Sequence, residues 1–515
     1  MKTPLALGLI LTVPYLTPTT DSSRFVSSSD YGRAENIVAS VSPAPNSAVA
    51  GPDTELVLEL TTPIDAETWD DSALDVFGRW SGVVQGRITI EEGGTRVRFV
   101  PDQPFQAGES VTATLRAGVG VAAGAAGAGA GGAARAEAAD TRGFSWSFWI
   151  RPEAGSFDMV DLGSRTVLGP GEDHVQPYGA YAGDFNGDGL PDLAIPNEVS
   201  ADVRIMLNDG NGDYEEFAVL DIPDGNWPSP NEGADFNGDG ITDFAVGNAG
   251  NDLVTVFIGD GQGRFLVGGN YAAAQNVRGV CIMDLNADGW PDVATANMGS
   301  RSDGATRGTV SILLNDGTGR LVRTETLPSP GRGEKTCATG DANGDGAPDL
   351  FVGAFGSDEV LLFLGDGAGG LEFTTRVPAG GNPWMIVVAD VNADGHVDAL
   401  AANRNADNVA VLYGDGAGGL AEPLKYPVGR DPLAVDVGDI DGDGDLDVVT
   451  SDYEGNSFTL YENAGDGTLI NARSFPSSGS GSCAVIHDRD RDGDLDITGI
   501  DEKEDTILLF ENPGA

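Results

Sequence analysis

Residues 184–192 read Asp-Phe-Asn-Gly-Asp-Gly-Leu-Pro-Asp, and the pattern Asp-x-Asn/Asp-x-Asp-Gly-x-x-Asp recurs down the rest of the chain. Its copies begin at Asp184, Asp235, Asp284, Asp341, Asp390, Asp439 and Asp488, at spacings of 51, 49, 57, 49, 49 and 49 residues. The one long interval holds an insertion, 299–308 (GSRSDGATRG), whose Gly/Ser/Arg composition predicts an extended loop. A period near 50 residues marks a repeat architecture, in which one supersecondary unit buries its apolar faces only against its neighbours.

Each copy has the same surroundings. An apolar run precedes it, as at 385–389 (MIVVA), and another follows, as at 243–247 (DFAVG). After a polar turn comes an alternating strand such as 254–258 (VTVFI). That strand ends in a Gly-Asp-Gly-x-Gly turn at 259–263, 365–369 and 414–418, or an Asn-Asp-Gly-x-Gly turn at 208–212 and 315–319. Asp-Gly and Asn-Gly favour tight hairpins because both tolerate positive φ. Four short strands per repeat predict an all-β fold, a seven-bladed β-propeller over 157–515. The last copy is followed by 507–510 (ILLF) and then only ENPGA, so its outer strand is missing. The segment 157–168 aligns with the missing strand and is predicted to pair there, closing the ring and removing its open edge.

The nonapeptide itself is an oxygen cage. Side chains at positions 1, 3, 5 and 9, with the carbonyl at 7, supply hard ligands, and glycine at 6 permits the bend. Such a set selects Ca²⁺, and less well Mg²⁺, over softer metals. The seven ligand sets are Asp184, Asn186, Asp188, Leu190 and Asp192; Asp235, Asn237, Asp239, Ile241 and Asp243; Asp284, Asn286, Asp288, Trp290 and Asp292; Asp341, Asn343, Asp345, Ala347 and Asp349; Asp390, Asn392, Asp394, His396 and Asp398; Asp439, Asp441, Asp443, Asp445 and Asp447; Asp488, Asp490, Asp492, Asp494 and Asp496. An EF-hand needs Glu at position 12. Ile195, Val246, Thr295, Val352, Ala401, Thr450 and Gly499 stand there, so that motif is excluded. One Asp-Asn-Gly turn alone would be a solvated loop. Seven copies with every ligand position filled point to about seven structural calcium ions.

Composition agrees. Across 515 residues, 80 Asp+Glu oppose 29 Lys+Arg for a net charge of −51, and hydrophobic content is 40%. That is apolar enough for folded cores and too acidic for nucleic acid or anionic lipid. Cys281, Cys337 and Cys483 form no CxxC or Cys/His cluster and read as small buried hydrophobes. Residues 1–20, with Lys2 ahead of an apolar run at 5–16, read as a secretory signal too short to span a membrane, and 21–35 as a disordered linker. The chain is therefore expected to be exported, secreted or at a bacterial cell surface, and monomeric.

Taken together, residues 157–515 resemble the FG-GAP/VCBS-type repeats of bacterial surface and secreted proteins, and more distantly the calcium-bound propeller of integrin α chains. The resemblance implies calcium loops in hairpins on one face and ligands on the opposite face or rim. Residues 36–150 carry short strands about every ten residues and are similar to the Ig-like β-sandwich at the N-termini of bacterial surface proteins. Within them 117–140 is a Gly/Ala-rich loop, and 151–156 is a linker. Phe144, Trp146, Phe148 and Ile150 share one strand face and read as core, with a sugar-binding platform as the sharper alternative.

These observations favour a non-catalytic adhesion or recognition module for protein or glycan ligands. The competing reading is a calcium-dependent, lyase-like polysaccharide enzyme with its site in the central channel. A lyase needs a base beside a charge-neutralising cation. The candidates His174, Tyr178, Arg278, Lys335 and Trp384 lie in different repeats with no common spacing and read as scattered. His396, at a backbone-ligand position, is expected to face solvent, and His487 to end a strand. The insertion 299–308 is expected to contribute to binding or to contact with the first domain.

Overall fold

Every nonapeptide ends one strand and starts the next, and this sets the architecture. The computed structural model describes residues 36–65, 69, 71–121, 141–222, 225–300 and 307–515. The assigned signal 1–20, the linker 21–35, residues 122–140 of the Gly/Ala-rich loop and 301–306 of the insertion lie outside the described residues. The ninth aspartate is the first residue of a strand in all seven copies, as in Asp192–Asn197, Asp349–Ala354 and Asp496–Asp501. These second strands are buried along their whole length, as expected where sheets are covered on both faces.

Among the described residues the repeats form seven four-stranded antiparallel sheets in a β-propeller arrangement. First strands run from Tyr181–Gly183 through Val277–Met283, Glu334–Gly340 and Pro383–Ala389 to Gly481–His487, and those of neighbouring sheets touch around the axis. Outer strands such as Leu371–Pro378 are buried only at their first residue and are otherwise exposed or half-buried. The last sheet takes its outer strand, Val160–Val167, from before the first copy. Val160 pairs with Glu511 and Val167 with Thr506, so the closing segment lies where its sequence places it.

A circuit of hydrogen bonds joins the sheets. The carbonyl at position 2 of each nonapeptide accepts from the next sheet. Asn315, Asn463, Asn512 and Asn208 reach Phe236, Val391, Ile440 and Arg489 with side-chain Nδ2 at 2.8, 2.7, 3.1 and 2.8 Å. Backbone N–H groups of Gly263, Gly369 and Gly418 do the same for Phe185, Leu285 and Ala342. The Asn208–Arg489 bond ties the first sheet to the last.

The N-terminal region is two four-stranded sheets around one core. One contains Val38–Ser42, Leu56–Leu60, Gly86–Glu91 and Arg96–Pro101; the other contains Leu74–Gly78, Gly82–Val83, Ser110–Leu115 and Phe144–Trp149. Trp146, Phe148 and Ile150 are buried in that core, so the face offered as a sugar platform is turned inward.

Candidate functional site

Within the first nonapeptide the acids organise the turn. Asp184 accepts from the Gly187 and Gly189 N–H groups at 2.8 and 2.9 Å, and Asp188 from Leu190 N–H at 2.9 Å. Positions 4 and 6 are left-handed in every copy. Glycine fills position 6 throughout, whereas position 4 holds Ala287, Ala393 and Arg491 in three copies, at φ 52, 58 and 63°. Sequence reasoning had identified only the bend at position 6.

The ninth aspartate has a second task. Asp192 accepts from Phe185 N–H (3.1 Å) and from Asn208 N–H (2.9 Å), fastening its loop to the end of the third strand. Asp243, Asp292, Asp349, Asp398 and Asp447 repeat both bonds. Each carboxylate oxygen keeps a further lone pair for a cation. Burial pushes Asp192, Asp243, Asp349 and Asp398 up to about 7, opposed by these N–H groups and reinforced by neighbouring carboxylates.

The last two copies differ, with aspartate at every odd position. Carboxylate oxygens of Asp439, Asp441 and Asp447 come within 4.8 Å of one another, as do those of Asp488, Asp490 and Asp492, and of Asp490, Asp496 and Glu511. Among the described residues, the buried Oδ1 atoms of Asp439, Asp445, Asp488 and Asp494 have no hydrogen-bond partner. Burial first, and then the adjacent carboxylates, push these four groups up to about 7. Orphaned, crowded, hard oxygens are the donor set a divalent cation completes, so the residues fit calcium. Glu511, which sequence reasoning missed, is already paired there with the buried Arg489, which also lies 3.4 Å from Asp496. Its signal is a glutamate directly before an asparagine, present as Glu462 and Glu511 in these two copies.

A second constellation lies at the other end of the first strands. Tyr178, Arg278, Lys335 and Trp384, read from sequence as scattered, come together there. That expectation is corrected: residues from different sheets meet because each stands at or just before the start of a first strand, next to the axis. Trp384 Nε1 donates to Tyr178 Oη at 2.5 Å, and the Lys335 ammonium sits 3.3 Å from the Trp384 ring centre. Arg404, which the sequence gave no reason to include, lies 4.1 Å from the same ring. Arg278 pairs with Glu198 at 2.5 Å and Arg404 with Asp431 at 2.8 Å. Burial, and then the Arg278 charge, holds Lys335 well below the usual lysine range, against the pull of Glu198 and Glu502. His174 stands apart, exposed and paired with Asp505 at 2.9 Å. His396 is exposed on its loop, and His487 is buried at its strand end with Thr498 at 2.8 Å.

Between the two constellations runs an axial cavity of about 520 Å³. Asp75, Arg79 and Arg116 of the N-terminal region line its loop end, and Tyr178, Lys335 and Trp384 line its far end.

The FG-GAP-like repeat family matches six overlapping stretches, 184–246, 235–295, 284–352, 341–401, 390–450 and 439–498, more than half of the chain. Solved structures of similar shape include BBS1N in complex with ARL6DN, 13% identical, covering 69% of this chain and 97% of that one at a TM-score of 0.47. A Lactobacillus plantarum protein is 15% identical over 61% of this chain and 88% of its own, also at 0.47. A functionally unknown protein of Desulfotomaculum acetoxidans is 12% identical over 61% and 92%, at 0.43.

Proposed function

The chain belongs to the FG-GAP-like repeat family, and from that premise we propose that it is an exported, calcium-stabilised, seven-bladed β-propeller with an Ig-like first domain, serving as a non-catalytic recognition module for protein or glycan ligands. One observation carries the calcium half: the unpartnered, buried carboxylate oxygens of Asp439, Asp445, Asp488 and Asp494. Ligands come from positions 1, 3, 5, 7 and 9 of each nonapeptide. The ion supplies only charge neutralisation and a fixed turn; the chain's own residues hold the strands. An ion bound only by the folded state adds about 2.7 kcal/mol per site at a hundredfold excess over Kd. The recognition half is supported by the covering of the loop face by the N-terminal region, which leaves the opposite mouth and the rim free for a partner.

The lyase-like reading has the meeting of Tyr178, Arg278 and Lys335 in its favour. It also needs a cation beside them, and the acidic loops stand at the other end of the same strands.

Calorimetry of calcium-saturated and EGTA-treated protein tests the first half. Chelation is expected to lower Tm by well over ten degrees, reversibly. An unchanged Tm would remove calcium from the account. Incubation with acidic polysaccharides is expected to release no unsaturated product; appearance of one that Lys335→Met abolishes would establish the lyase instead.

A further inference from the structure

Lys335 is 6% exposed, and its ammonium has no hydrogen-bond or ion-pair partner among the described residues. Its nearest neighbours are the faces of Trp384 and Tyr178, at 3.3 and 6.0 Å. The other cations at this end are already answered, Arg278 by Glu198 and Arg404 by Asp431. Of the acids nearby, Glu502 accepts from Gln176 Nε2 at 2.8 Å and from Tyr453 Oη at 3.3 Å, and burial pushes it up to about 7. The basic group left without an anion at this end is therefore Lys335, in a chain whose net charge is −51. A buried charge without a partner is costly, and an added counter-ion removes that cost.

The same lysine lines the axial cavity, whose 520 Å³ lies within the range of small-molecule sites. Val280, Ile386, Val388, Leu433 and Cys337 give the cavity apolar surface, among polar lining residues that include Thr336, Thr339 and Ser482. Arg278 and Trp384 are only half-buried, so this end of the cavity meets solvent.

We infer that the axial channel binds a small monocarboxylate with an apolar body, its carboxylate on Lys335 and its hydrocarbon along the channel wall. The carboxylate supplies the missing charge and acceptors, while the body displaces water from apolar surface. A sugar acid carries the same charge, but against Val280, Ile386, Val388 and Leu433 its hydroxyl groups would meet side chains with no hydrogen-bonding atom. The inference does not depend on the metal reading, because it concerns the end of the strands away from the acidic loops.

Octanoate, octanol and glucuronate are the probes, titrated calorimetrically into the full, calcium-loaded chain. Octanoate is expected to bind, and octanol, which lacks the carboxylate, to bind at least about tenfold more weakly. Glucuronate is expected not to bind. Lys335→Met is expected to weaken octanoate by about tenfold or more and Lys335→Arg by only a few fold. Lys335→Met replaces an unpaired buried amine by an apolar group of similar length, so its Tm should hold or rise. Equal binding of octanol and octanoate, or an unchanged affinity in a folded Lys335→Met, overturns the proposal. So does glucuronate binding where octanoate fails. Should Lys335→Met not fold, the octanoate–octanol comparison on the unaltered chain decides alone.

Discussion

Position 4 of the nonapeptide is left-handed whichever residue occupies it, while position 6 is always glycine. The fifth copy separates the two effects. Ala393 is exposed at φ 58°, and two residues on Gly395 has φ 89° with nothing within 4 Å of a Cβ added there. A left-handed conformation costs an L-residue about 1–2 kcal/mol, whereas glycine loses about 0.5–1 kcal/mol more chain entropy on folding. Ala393→Gly is therefore expected to gain about 0.5–1 kcal/mol and Gly395→Ala to lose about 1 kcal/mol. Thermal melts in saturating calcium measure both. Since no packing changes at either site, a neutral Gly395→Ala would mean that the turn is not held left-handed in solution.

Between elements, the ring is held by hydrogen bonds that use two chemistries for one purpose. Asn463 is 2% exposed, and its Nδ2 donates to Val391 O at 2.7 Å and Leu446 O at 3.0 Å. Asn463→Ala leaves two buried carbonyls without these donors and is expected to cost about 2–3 kcal/mol, read from denaturant midpoints at unchanged m-value. The reverse exchange is not available in the glycine copies, where a Cβ on Gly365 would collide with the Pro348 carbonyl. Much of this level was legible in the sequence. The strand starts, the hairpins and the closing strand Val160–Val167 follow from local Asp/Gly spacing and from one missing strand. The difference between Asn-Asp-Gly at 208 and 315 and Gly-Asp-Gly at 259, 365 and 414 was also visible. Its meaning was not, because the acceptor each asparagine serves lies in another sheet.

Over the whole molecule, what the sequence hid is what the axis and the domain junction assemble from distant residues. Tyr178, Arg278, Lys335 and Trp384 share no spacing, because one site drawn from several sheets needs each residue only once. The junction is hidden for the same reason. Asn46, Arg116, Ser145, Arg151 and Glu153 donate to carbonyls of five different nonapeptides: Gly395, Gly289, Gly346, Gly442 and Gly493. Trp80 goes deepest: 1% exposed, it leaves the N-terminal sheets and enters a core with Ile440, Ile486 and Leu495, its ring edge-on to His487 at 6.2 Å. Its carbonyl takes the Asp184 N–H of the first nonapeptide at 2.9 Å. A large aromatic removed from such a site costs about 3–5 kcal/mol, and here the loss falls on the joint between two bodies. The unaltered chain is expected to melt in one calorimetric transition. Trp80→Ala is expected to split it in two, the smaller endotherm belonging to the N-terminal sheets once they are no longer held on the ring. A single transition merely shifted downward would show that the backbone contacts to the loops suffice to couple the two without the tryptophan.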